Sequence, residues 1–197
     1  MAPADALAIA ETRAWVDRAV VGLNLCPFAK SPQVKGRVRY VLSTARDGET
    51  LLAALIEEIE RLVEASEDEI ETTLLVHPHV LGDFLDYNDF LGIAEEAVAE
   101  LGLEGVVQVA SFHPQYCFAG TEPDAVGNAT NRAPYPTLHL LREASIERAV
   151  DAFPEAATIY EANIAAMDRL GADGWAELQR QCRADALAAL AAPPAGT

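Results

Sequence analysis

TLLVHPHVLGDFLDYNDFLGIAEEAVAELGLEGVVQVASF, residues 73–112, decides the fold. It opens with a short apolar run and then changes period. Phe84, Tyr87, Leu91, Ala94, Val98 and Leu101 step by three and four, which places them on one stripe of an amphipathic helix. Asp83 stands where an N-cap belongs, with Asp86 in the first turn. Gly102 and Gly105 end the stripe, and VVQVASF resumes as a strand. Strand, helix and strand in that order predict a right-handed crossover between two parallel strands.

Working outward, RVRYVLST (37–44) alternates as a half-buried strand, and Leu52, Leu55, Ile56, Ile59, Leu62 and Val63 repeat at helical spacing before residue 73. A helix over 5–23 carries Trp15, Ala19 and Leu23 on one stripe and stops before Pro27. Downstream, residues 114–135 are rich in Pro, Gly, Asn and Thr, a connection long enough to suggest function. TLHLL (137–141) is the last strand, an antiparallel edge or neighbour because no helix precedes it, and the rest is helical. The expected fold is an α/β single-domain sandwich, a roughly four-stranded mixed sheet with at least one parallel β-α-β unit, packed by helices. The domain covers residues 1–192, and the Ala/Pro stretch 193–197 reads as a disordered tail.

The chain carries 14 Lys and Arg against 31 Asp and Glu, a formal net charge of −17. That field repels phosphate backbones and anionic bilayers, so neither nucleic acid nor a membrane is an expected partner. The N-terminal residues lack a basic segment before an apolar run, and no stretch approaches the roughly 20 apolar residues of a transmembrane helix. Cys26, Cys117 and Cys182 are too few and too far apart for a disulfide framework or a thiolate zinc knot. A cytoplasmic location is expected.

Histidine marks the candidate chemistry, being both the commonest metal ligand and the side chain that titrates nearest neutral pH. His77 and His79 end one predicted strand and His113 ends the next, where α/β sheets tend to bind ligands. Residues two apart on a strand face the same way, so His77, His79 and His113 could converge on a transition metal and leave positions for water or substrate. Asp83, Asp86 or Asp89 would either supply a carboxylate or orient an imidazole. Haem is the weaker variant, because no attachment motif is present. His139, within an apolar strand, is either a hydrogen-bonded core histidine or a base reaching the site. Cys26, in GLNLCPFAK (22–30), is either a buried structural thiol or a nucleophile. NATNRAPYP (128–136) concentrates Asn128, Asn131, Arg132 and Tyr135. Together with Asn88 they form a candidate substrate pocket in which Arg132 would grip an anionic group; the alternative is that the Asn side chains cap turns and Arg132 pairs with one of the many acidic residues.

GLNLCPFAK, RYVLST, LLVHPHVLGDFLDYNDFL, LEGVVQVASFHPQYCFAG and NATNRAPYPTLHLLREASIERAV together resemble the bacterial domain-of-unknown-function family 1415, over roughly residues 12–175. The resemblance implies a single bacterial domain and transfers no activity. From the residues, the first expectation is a small-molecule enzyme with a histidine-centred site at the strand ends, the histidines either holding a metal or simply hydrogen-bonded. A thiol-dependent enzyme using Cys26 and a noncatalytic small-ligand or partner-binding protein are the alternatives.

Overall fold

The computed structural model describes residues 2–152 and 158–192, so the predicted tail at 193–197 lies outside them. Four strands, β1 (Val38–Leu42), β2 (Thr72–Val76), β3 (Val107–Phe112) and β4 (Thr137–Arg142), form one open sheet in the order β1-β2-β4-β3. β1 pairs with β2 in parallel, and β4 is antiparallel to both β2 and β3. The helices are α1 (Pro3–Trp15), α2 (Lys30–Val34), α3 (Gly48–Glu64), α4 (Phe84–Glu100), α5 (Glu143–Ala152) and α6 (Ile159–Ala191), the last bent at Gly171 (φ 68°). Among the described residues no helix is long and apolar enough to cross a membrane.

The sequence pattern accounts for the layer formed by α3 and α4. Leu51, Leu55, Ile59 and Leu62 recur at helical spacing on α3 and are all fully buried. Each contributes about 1.5–3 kcal/mol by leaving water. They meet Tyr87, Phe90, Ala94 and Val98 of α4 and Leu75, Leu138 and Leu140 of the sheet. Asp47 caps α3 through the Thr50 amide at 2.8 Å, and Asp83 caps α4 through the amides of Leu85 at 2.8 Å and Asp86 at 3.4 Å. The other end of α3 is held from the sheet, where the Arg142 guanidinium donates to the carbonyls of Leu62, Ala65 and Ile70.

The opposite face of the sheet packs against α1 and α6, with Leu74 beneath Trp15, Met167, Trp175, Leu178 and Cys182. The expected N-terminal helix divides here. α1 stops at Trp15, and Val16–Val21 continue as a π-helical turn. Gly22 follows because a Cβ at that position would sit 2.2 Å from the Arg18 carbonyl oxygen.

The crossover unit also differs from its simplest form. β2 and β3 run the same way, as expected, yet they do not touch. β4 lies between them, with His139 opposite Leu74 on one side and Ala110 on the other. The last strand is therefore an interior neighbour and not an edge. It fits because Leu138 and Leu140 fill one layer while Thr137, His139 and Leu141 face the other.

Candidate functional site

β2 ends at Val76 and β3 at Phe112, so His77 and His113 do leave the sheet at one edge. Both are fully buried. The Gln115 amide donates to His113 Nδ1 at 3.0 Å, which puts the ring proton on Nε2, and Nε2 donates to the Leu81 carbonyl at 3.2 Å. His77 Nδ1 donates to the neighbouring Val80 carbonyl at 3.2 Å, and its Nε2 has no partner among the described residues. Tyr87 lies against both rings, with centroids 5.8 Å from His77 and 5.0 Å from His113. The Tyr87 hydroxyl accepts from the Phe112 amide and donates to the Thr137 carbonyl, tying β3 to β4. Burial lowers the pKa of both histidines, His77 to about 4, so the rings stand neutral.

His79 does not join them. The chain turns at Pro78, strand alternation lapses, and His79 Nε2 instead meets Asp5 Oδ1 on α1 at 3.0 Å. The three-histidine set is not assembled, and among the described residues no group of three or more His, Cys, Asp or Glu is placed to hold a metal ion.

The candidate substrate pocket around residues 128–135 is likewise not gathered. Asn128 accepts from the Phe118 amide and the Thr121 hydroxyl and donates to the Glu122 carbonyl. Arg132 donates to the carbonyls of Tyr116 and Pro123, and the Asn131 amide donates to that of Ser111. These side chains knit the long loop, which contains a 3-10 turn at Val126–Asn131. Tyr135 donates to Glu11 on α1 at 2.7 Å, and its pKa is pushed up to about 12 by burial and by that carboxylate. Asn88 is exposed on α4.

What the fold does assemble is a cavity of about 720 Å³ on the α1/α6 side of the sheet. Its floor is Thr72 and Leu74 of β2, Gln108, Ala110 and Phe112 of β3, and His139 and Leu141 of β4. Trp15, Val16 and Val20 of α1 and the π-helical turn, the Cys26-Pro27-Phe28 segment, and Ile146 and Ala149 of α5 form the walls. The cavity thus lies over the face of the sheet, from the amino ends of the parallel strands as far as Phe112, and not beyond the carboxyl-end edge expected from α/β sheets in general. That edge is filled by the two buried histidines and the loop they hold.

Two of the three candidate catalytic residues, His139 and Cys26, line this one cavity, and the third, His113, does not. His139 is oriented from below. The Thr72 hydroxyl donates its single proton to the Leu140 carbonyl at 2.7 Å, so its oxygen accepts from His139 Nε2 at 2.7 Å. Nδ1 is then the acceptor of a neutral ring, and it has no partner among the described residues. Burial holds the pKa of His139 at about 4. Phe112 stands beside it at 5.8 Å and makes an edge contact with Trp15 at 5.1 Å. Burial raises the Cys26 thiol pKa more than the amides of Phe28 and Ala29 lower it, so the sulfur stays protonated near neutral pH.

Sequence reasoning named His139 and Cys26 but missed Thr72, Ala110, Phe112, Phe28 and Ile146. The parity of the three strands carried the signal for the floor, since Thr72, Ala110 and His139 each face the side opposite the Leu75 and Leu140 core. Reading it requires the register between strands.

A model of the family described as protein of unknown function, DUF1415, matches residues 7–177, and the chain belongs to that family. No curated protein and no solved structure matches it.

Proposed function

Because that family carries no activity to transfer, the residues have to supply the reading, and we propose that the chain binds a largely apolar small molecule in the cavity over β2, β4 and β3, with His139 as the group that recognises it. The observation that carries this is one neutral imidazole, steered by Thr72 and with no partner for Nδ1 among the described residues, in a cavity whose lining is mostly apolar. A cavity of about 720 Å³ is of the size that encloses a drug-sized ligand. A few fixed polar groups on apolar walls orient such a ligand, and an acceptor with no partner among the described residues favours one that supplies a donor.

Recognition is favoured over proton abstraction. An imidazole held near a pKa of 4 is always available as an acceptor and is a weak base. The protonated thiol of Cys26 is a poor nucleophile for the same reason, its burial in apolar surroundings. A catalytic reading survives in one form, with His139 and Cys26 acting together on a bound molecule, and is favoured by their sharing the cavity.

The neutral fluorescent probe N-phenyl-1-naphthylamine tests the reading. Its emission should rise on saturable binding with a Kd in about the micromolar range. Ala110→Trp, which fills the cavity from the β3 floor, should abolish the rise at an unchanged fold by circular dichroism. No rise with the wild-type chain, or an equal rise with Ala110→Trp, would overturn it.

A further inference from the structure

We infer that the ligand is an uncharged apolar molecule bearing a hydroxyl group, an alcohol or phenol, and not a carboxylate or phosphate. This rests on the cavity reading above and specifies its chemistry. The charged residues lining the cavity are two of each sign, Glu67 and Glu71 against Arg142 and Arg148. Both guanidinium groups have prior engagements. Arg142 donates to the carbonyls at the end of α3, and Arg148 pairs with Glu67 and donates to Ser145. An anion entering the cavity therefore meets guanidinium groups that are already engaged, with Glu67 and Glu71 on the same lining, while it loses its hydration, and the chain's formal charge of −17 opposes its approach.

The polar handle has a defined sense. Since the Thr72 proton is directed to Leu140, His139 uses its own proton on Thr72 and offers a lone pair at Nδ1. A ligand must donate to it. A hydroxyl does so without bringing charge, whereas an ether or ester oxygen has no proton to give and a carboxylate has only lone pairs to set against a lone pair.

Calorimetric titration at pH 7.5 with 2-naphthol, 2-methoxynaphthalene and 2-naphthoate separates these cases on one ring system. The wild-type chain should bind 2-naphthol at least about tenfold more tightly than either of the others, the size of one good hydrogen bond. His139→Phe keeps a ring on the sheet face and should shrink the advantage over 2-methoxynaphthalene to less than about twofold. Thr72→Val, a second variant that frees the imidazole without removing it, should weaken 2-naphthol and leave 2-methoxynaphthalene unchanged. Naphthoate binding as tightly as naphthol would overturn the inference while leaving the cavity reading intact, and a naphthol preference that persists in His139→Phe would overturn the inference together with the role of His139, leaving only the cavity as a binding site. If none of the three binds the wild-type chain, the cavity reading fails and the inference falls with it.

Discussion

The imidazole of His113 donates to the carbonyl of Leu81 at 3.2 Å, and Leu81 is one of two non-glycine residues with positive φ (54°) among those described. With His77 donating to Val80 next door, two buried rings hold consecutive carbonyls of a strained turn. The histidines that looked like metal ligands are its fasteners.

His113→Phe keeps the ring volume and leaves the Leu81 carbonyl and the Gln115 amide unpaired. The expected loss is about 2–4 kcal/mol by urea unfolding, with faster amide exchange across residues 79–83. A loss below about 1 kcal/mol would show that the turn holds without the ring.

Stability should fall on mild acidification. His77 and His139 have folded pKa values near 4, below the roughly 6.5 of an unfolded chain, so the unfolded state binds more protons between those limits. Their full contribution is present above about pH 6.5 and declines toward pH 4, each adding a slope of about 1.4 kcal/mol per pH unit. The lowered pKa of His113 adds in the same direction. Unfolding free energies at pH 7, 6 and 5 should show His139→Phe with the shallower slope, and equal slopes would refute the assignment.

Gly22→Ala forces a methyl group against the Arg18 carbonyl at 2.2 Å, a backbone contact that no rotamer relieves. The π-helical turn must then rearrange, and Val16 and Val20 are cavity walls. A loss above about 2 kcal/mol is expected, together with weaker naphthylamine binding by the same emission assay.

Arg142→Lys should be nearly as harmful as Arg142→Met. One guanidinium reaches Leu62, Ala65 and Ile70 at the end of α3, and an ammonium lacks that fork. Both variants should cost about 1–3 kcal/mol in thermal or urea unfolding, because partly buried carbonyls lose their donor. Full rescue by Lys would mean that charge alone matters there.

Cys26 should alkylate slowly with iodoacetamide at pH 7.5 and faster as pH rises above the ordinary thiol range, and bound 2-naphthol should slow it further. Peptide mass spectrometry reads each cysteine separately. Rapid labelling of Cys26 at neutral pH would restore the nucleophile reading.

Most of the fold was legible because helix stripes and strand alternation are local. Leu51 to Leu62 and Phe84 to Val98 announce their buried faces by spacing, and Asp83 announces a helix start. The place of β4 was not legible. Its partners in β2 lie more than 60 residues upstream, and TLHLL reads the same at an edge as in the interior. The site was legible only in pieces. His139 and Cys26 stand out by residue type, but the cavity depends on pairing register and on a π-helical turn whose one local sign is Gly22. The roles of His77 and His113 were hidden for another reason: their partners are backbone carbonyls, which have no side-chain identity to read.

The interior position of β4 also constrains the order of assembly. β3 pairs with β4 alone, so its backbone groups have no sheet partner until residues 137–142 arrive from the far side of the long loop. β1 and β2 pair with each other earlier in the chain, leaving one flank of β2 open across the same interval. During synthesis the nascent chain therefore carries two unsatisfied strand edges and an unroofed sheet face. The insertion of one six-residue strand closes both edges at once and makes completion of the sheet a late, cooperative, non-local step.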